Sequence, residues 1–138
     1  MLNLKEKNIL ITGASSGIGR HCAILCSQLG ANVIIVGRNS SNLFKTFNDL
    51  SGSNNLQIQQ DVTEFDKLEP IVLHTVSELG PIHGFIHCAG IEMTVPIQSM
   101  NPEKYLQLFS VNTISAFEIA RILSKKKYLS PLGSSFVF

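Results

Sequence analysis

The residues best suited to chemistry in this chain are Thr12-Gly13-Ala14-Ser15-Ser16-Gly17-Ile18-Gly19, and the chemistry they suit is the binding of a diphosphate. A helix N-terminus leaves backbone N–H groups unpaired and carries partial positive charge. A pyrophosphate docked there is hydrogen-bonded and electrostatically favoured. Each glycine answers a separate need: Gly13 permits the tight turn, Gly17 lets the backbone approach the pyrophosphate, and Gly19 lets the helix pack against the sheet. Ser15, Ser16 and Ile18 complete the candidate phosphate turn. Its spacing, Gly-x-x-x-Gly-x-Gly, differs from the common dinucleotide fingerprint Gly-x-Gly-x-x-Gly, and no Gly-Lys-Ser/Thr of a P-loop follows.

Such a turn works only between a strand and a helix. Asn8-Ile9-Leu10-Ile11 reads as a short buried strand, and Ile18, Cys22, Leu25, Cys26 and Leu29 recur at helical spacing after the turn. Asn32 to Val36 is a β-branched second strand beyond Gly30, which completes a right-handed parallel unit. It ends at Gly37-Arg38, the end that faces the adenosine ribose in this architecture. A carboxylate there would bond the 2′-hydroxyl of NAD. Gly37 offers none, whereas Arg38 offers a planar fork suited to the 2′-phosphate of NADP. NADP(H) is therefore favoured over NAD(H), the competing reading of Arg38 being a solvated surface cation.

Ser40 to Leu50 carries a helical stripe of Leu43, Phe44, Phe47 and Leu50, with Ser40 or Ser41 as cap, and a turn comes after it. Leu56 to Gln60 reads as a third strand ending in Asp61-Val62-Thr63. The helix from Glu64 to Leu79 turns Leu68, Ile71, Val72, Thr75, Val76 and Leu79 inward, with Pro70 expected to kink or restart it. Phe85 to Gly90 is a fourth strand running into a small-residue turn. A long helix from Pro102 is predicted to bury Leu106, Phe109, Thr113, Ala116, Phe117, Ala120 and Leu123, closing on Lys125-Lys126-Lys127 as a solvated end. Ser134 to Phe138 begin a fifth strand with an exposed apolar edge. The alternation predicts an α/β fold, a Rossmann-type doubly wound parallel sheet with helices on both faces, truncated after the fifth strand.

Thr12 to Gly19 resembles the short-chain dehydrogenase/reductase superfamily in its ordinary branch; the extended branch would want glycine where this chain has Ser16. The resemblance covers the whole chain but only the N-terminal part of the family fold. It implies that Asp61 and Val62 meet the adenine ring, a role that can coexist with Asp61 and Thr63 starting the next helix. His87-Cys88-Ala89-Gly90 stands where the family has Asn-Asn-Ala-Gly, which lets backbone approach the cofactor and steadies the central sheet. Ala89 and Gly90 fit, while His87 and Cys88 depart from the two asparagines. Imidazole keeps a hydrogen-bonding group at 87 with different geometry and protonation. A satisfied core histidine is favoured over a titrating one. Asn112 matches the family's helix asparagine, where a local kink frees a carbonyl to hold a water in a proton relay, and it takes the one catalytic assignment. The family's serine and Tyr-x-x-x-Lys pair lie beyond Phe138. Tyr105 and Tyr128 are followed at the lysine position by Phe109 and Leu132, so neither is that tyrosine. Residues 1–138 are thus expected to be an incomplete dinucleotide-binding domain of a longer chain, inactive alone.

At 138 residues the chain is one domain at most, and its 44% hydrophobic content suits a globular protein. A net charge of +1 gives no electrostatic case for nucleic acid or an anionic membrane. No apolar run approaches the ~20 residues of a membrane helix, and an N-terminal strand leaves no room for a signal peptide. A cytoplasmic, reducing setting is expected. Cys22 and Cys26 read as small buried hydrophobes. A zinc site with His21 is disfavoured because neighbouring helix positions point apart, so no metal is expected. The resemblance implies an NADP(H)-dependent oxidoreductase moving hydride between nicotinamide and a carbonyl or secondary alcohol, with a 3-oxoacyl reductase one form of it. The alternative is a non-catalytic dinucleotide-binding or regulatory module. The implied partners are a small-molecule substrate and, through the long helix, further copies of the full-length protein.

Overall fold

Short runs of Val, Ile and Leu bounded by turn residues form parallel strands buried on both faces. The computed structural model, which describes residues 2–138, contains five strands. They are β1 (Asn8–Thr12), β2 (Asn32–Gly37), β3 (Leu56–Gln59), β4 (Gly84–His87) and β5 (Ser135–Val137). Their spatial order is β3-β2-β1-β4-β5 and every pairing is parallel, the Rossmann arrangement with its switch point between β1 and β4. Thr12 lies level with Val36 on one side and His87 on the other, so the three central strands end at one edge.

The two-residue period of each strand divides the core into two layers. Leu10, Ile34 and Val36 face Leu68 and Val72 of α3 (Phe65–Leu79) and Ile119, Ile122 and Leu123 of α5 (Ser115–Leu123). Ile9, Ile11, Val33 and Ile35 face Ala23 and Cys26 of α1 (Gly17–Gln28) and Leu43 of α2 (Ser40–Asn48). Beside β4 and β5 this second layer stops short. A groove lined by Ile9, Cys26, Ile86 and Val137 stays open there. β5 pairs with β4 and forms the sheet edge.

Several predicted faces are rotated. α1 buries Gly19, Ala23, Cys26 and Ser27, while Ile18 and Leu25 are exposed, because the close-packed side is chosen by the small residues. α2 is capped by Asn39, whose side chain accepts from the Asn42 amide, in place of Ser40 or Ser41. α3 runs through Pro70 as one helix and buries Leu68, Val72 and Thr75 of the expected six, with Val76 and Leu79 partly buried against the same core and Ile71 half-buried at its margin. The long helix is two: α4 (Pro102–Phe109), capped by Asn101, and α5, joined by a π turn at Ser110–Ile114. A π turn uses an additional residue, so a stripe drawn at 3.6 residues per turn does not stay on one face across it. Val111, Ser115, Ala116, Ile119, Ile122 and Leu123 are buried. Leu106, Phe109 and Phe117 are instead 64%, 55% and 67% exposed, and α4 buries no residue.

The lysine run after α5 is also less free than expected. Lys125 Nζ donates to both carboxylate oxygens of Glu69 at 2.7 and 2.6 Å, and the hydroxyl of buried Tyr128 donates to Glu69 Oε1 at 2.8 Å. Lys127 Nζ lies 3.7 Å from the same carboxylate. The bonds from Lys125 and Tyr128, with the charge of Lys127 behind them, hold the Glu69 carboxyl at about 2, down from 4.5. A carboxyl depressed in the folded state stabilises it above the unfolded value, and that stabilisation fades as pH falls through the folded one. Glu69→Gln is accordingly expected to lower the thermal midpoint at neutral pH, with the gap to the unmodified chain closing between 4.5 and about 2. Thermal melts followed by circular dichroism across that range check it; a gap unchanged in acid would refute it.

Candidate functional site

The site is built where β1 hands over to α1. Gly13 and Gly17 hold φ of +68° and +54°, the left-handed region that side chains rarely adopt. A Cβ on Gly13 would lie 2.4 Å from the Cys88 carbonyl oxygen and 2.5 Å from the Ala89 nitrogen, so the turn rests directly on the peptide leaving β4. A Cβ on Gly19 would lie 2.4 Å from the Gly13 carbonyl oxygen; this glycine serves packing of the helix against the turn itself. A Cβ on Gly17 would meet nothing within 4 Å. That backbone faces open space. Ser16 adopts the extended cap conformation, yet its hydroxyl bonds no helix N–H, and the first turn of α1 holds no acidic residue. The positive end of α1 is therefore not offset by a side chain of its own cap or first turn.

In front of it lies a cleft of about 780 Å³, within the range of small-molecule and cofactor sites. Gly13, Ser15, Ser16, Gly17 and Ile18 line it from the turn, and Gly37, Arg38 and Asn39 from the end of β2. Gln60 and Val62 line it from the end of β3, and Cys88, Ala89 and Gly90 from the end of β4, with Val111 of the π turn. Thus most of the predicted binding residues share one cavity, and Gly19, Asp61, His87 and Asn112 stand behind or beside it. Gly37 and Cys88, and with them Gln60, Asn39 and Val111, lie outside the predicted set. Each adjoins a predicted residue in sequence (Arg38, His87, Asp61, Arg38 and Asn112 in turn), and that adjacency is the signal by which they could be found.

Asp61 sits beside Arg38, with Oδ2 3.6 Å from Nη1, in an ion pair that solvent screens. Its Oδ1 accepts from the Thr63 amide at 2.9 Å and the Thr63 hydroxyl at 2.8 Å. Partial burial pushes the Asp61 carboxyl up, but the two bonds from Thr63 and the Arg38 charge together outweigh it and hold the group below its ordinary value. At Gly37 a Cβ would come within 3.2 Å of a Leu43 methyl and 3.3 Å of Ser15 Cβ, so the β2 exit has little room for a side chain.

Asn112 lies within the π turn. Its Oδ1 accepts from the Ile91 amide at 2.8 Å and its Nδ2 donates to the Ile91 carbonyl at 2.9 Å, so one side chain satisfies both backbone groups of the residue after Gly90. His87 differs from the fully satisfied core histidine expected. Nδ1 lies 2.9 Å from the Thr12 hydroxyl, but Nε2 is buried with no hydrogen-bond partner. Burial pushes its pKa down, against the carbonyl groups of Val111 and Ala89, which favour the charged ring. Burial likewise pushes the Cys26 and Cys88 thiols up, and neighbouring Cys22 adds to both. Among the described residues no three His, Cys, Asp or Glu side chains are grouped to hold a metal, and no helix is long and apolar enough to cross a membrane.

A five-stranded parallel sheet in this order, with a glycine turn and a cleft at its carboxyl edge, defines a Rossmann-type α/β unit. The family model for short chain dehydrogenase matches residues 7–130, and the chain belongs to that family. Over 125 residues it is 31% identical to the ketoacyl reductase HetN of Nostoc sp., covering 89% of this chain and 44% of that protein. The citronellol catabolism dehydrogenase AtuB of Pseudomonas aeruginosa superposes with a TM-score of 0.85 at 28% identity, over 98% of this chain and 55% of its own. A variant of actinorhodin polyketide ketoreductase, solved with NADPH, superposes with a TM-score of 0.81 at 25% identity, over 86% of this chain and 46% of its own. The chain spans about half the length of the proteins it matches.

Proposed function

We propose that these residues are the cofactor-binding part of an NADP(H)-dependent oxidoreductase that interconverts a carbonyl and a secondary alcohol. The observation that carries this reading is the Gly17 backbone, open to the cleft at the start of a helix whose cap and first turn offset none of its charge. The residues present fit a dinucleotide. Amides of the turn and the Ser16 hydroxyl would hold the bridging phosphates, Arg38 would exchange Asp61 for a 2′-phosphate, and Asp61 with Val62 would border the adenine. Ala89 and Gly90 bring backbone to the other half of the cleft, and Asn112 steadies them through Ile91. The nicotinamide ring, when bound, supplies the hydride. The NADPH in the actinorhodin ketoreductase structure and the reductase activity in the HetN name support the cofactor and the reaction class.

The serine and Tyr-x-x-x-Lys that the family resemblance calls for are not among these residues, so the chain alone is expected to bind without turning over. The open groove beside β4 and β5 supports a domain that continues beyond them. The outward Leu106, Phe109 and Phe117 support contact with a second copy of the protein.

Titration of the chain with NADPH and NADH, followed by nicotinamide fluorescence, tests the assignment. NADPH should bind more tightly. Arg38→Ala should weaken NADPH by roughly ten- to a hundredfold, the worth of charge-assisted hydrogen bonds to one phosphate, and leave NADH nearly unchanged. Equal loss for both cofactors would remove Arg38 from the ribose site.

A further inference from the structure

We propose that His87 is a positioning residue of this cleft: the neutral imidazole, accepting from Thr12, holds the Cys88–Ala89 peptide beneath the phosphate turn, and a proton on the ring releases it. The proposal rests on the cleft being a dinucleotide site.

Few protons are available around Thr12, whose side chain is fully buried. Its hydroxyl accepts from the Ala89 amide at 3.4 Å and lies 2.9 Å from His87 Nδ1. A hydroxyl has one proton to give, and the unprotonated nitrogen of a neutral ring is the acceptor in reach. The proposal therefore assigns the hydroxyl proton to the bond with Nδ1 and the ring proton to Nε2. Protonating the ring places N–H groups at both nitrogens. Thr12 must then accept from Nδ1 and from Ala89 together while its own proton has no acceptor, the costly condition of a buried unpaired donor. Nε2 is already without a partner. The groups that face the ring are Thr12 of β1, Phe85 of β4 with its ring edge-on at 6.0 Å, Ala89 of the loop and Val111 of the π turn. None is charged; the Val111 and Ala89 carbonyls favour a proton on the ring, but burial outweighs them and no carboxylate adds to their effect.

The consequence reaches the cleft because no slack separates the two. A Cβ on Gly13 would sit 2.4 Å from the Cys88 carbonyl and 2.5 Å from the Ala89 nitrogen. Movement of that peptide must move Gly13 and the amides next to it in the turn. A histidine whose folded pKa is depressed keeps the arrangement intact above its unfolded value of 6.5 and loses it as pH falls below that value. Asparagine at 87 would offer Thr12 an acceptor oxygen that does not titrate.

The test is NADH affinity of the full chain and of His87→Asn between pH 8 and pH 5.5; NADH lacks the titrating 2′-phosphate. Each affinity is read against the same chain's own value at pH 8. At pH 5.5 the unmodified chain should have lost up to about tenfold more of its own pH 8 affinity than His87→Asn has, the ceiling set one pH unit below the free imidazole value. Parallel pH profiles would overturn the role of His87 while leaving the dinucleotide site standing. No binding by the unmodified chain at pH 8 would overturn both. Should His87→Asn fail to fold, the Gly13 and Ala89 amide resonances of the unmodified chain should titrate with the His87 ring, and amides that ignore the ring would refute the proposal.

Discussion

Gly13→Ala should cost more than any other single-methyl addition in the phosphate turn. The alanine would carry the left-handed backbone penalty of about 1–2 kcal/mol, and its methyl would overlap peptide atoms of Cys88 and Ala89 at 2.4–2.5 Å. Peptide atoms cannot swing aside as a side chain can, so the overlap adds about 1–3 kcal/mol of forced displacement. Against a total stability of about 5–15 kcal/mol for a domain, the sum is a large share. Gly17→Ala separates binding from folding. Its φ of +54° carries the same backbone penalty, but the methyl meets nothing within 4 Å. Its thermal midpoint should fall by only roughly 3–10 °C. Its NADPH affinity should fall by about a hundredfold, because the methyl would stand where the pyrophosphate must meet the amides. Urea denaturation and fluorescence titration of both variants decide the matter. A Gly17→Ala chain that binds NADPH normally would remove the phosphate cradle from residues 13–19.

The second large effect belongs to Phe85. It is completely buried, and its ring meets those of Phe136 and Phe138 edge-on at 5.9 and 6.0 Å, so it joins the switch-point strand to the sheet edge. Phe85→Ala should destabilise by about 3–5 kcal/mol through lost transfer energy and the cavity left behind. Phe85→Leu, which keeps most of the volume, should cost under about 2 kcal/mol. Amide exchange at Phe136 and Val137 should accelerate most, since β5 pairs only with β4. Phe117→Ala, at 67% exposure, should change stability by no more than about 0.5 kcal/mol. If the two alanine variants lost equal stability, the assignment of Phe85 to the joint between β4 and β5 would be wrong.

The outward face of α4 and α5 shows why helical periodicity misled. Leu106, Phe109 and Phe117 are spaced as a buried stripe should be, yet the π turn at Ser110–Ile114 shifts the register of α5 by one residue. Periodicity does not mark that extra residue; only Asn112, where the family resemblance implies a local kink, points to it. Val111 and Ser115 are buried beneath the turn, and the Ser115 hydroxyl donates to the Val111 carbonyl at 2.7 Å. In α1 the same kind of expectation fails for a different reason. Close approach of the helix to the turn at Gly19 and to the sheet at Ala23 turns these small residues inward and leaves the larger Ile18 and Leu25 outside.

The amino-acid order determined by itself whatever depends on near neighbours along the chain. The β-branched runs made strands, and strand–helix alternation made the sheet parallel. The glycine spacing made the turn, and Gly37-Arg38 fell at the end of β2. The tertiary structure alone decided the partnerships between residues far apart in sequence: Thr12 with His87, Ile91 with Asn112, Glu69 with Lys125 and Tyr128. A hydrogen bond or ion pair is set by distance and direction in space. Those exist only once two segments, each formed by its own local pattern, have been packed side by side.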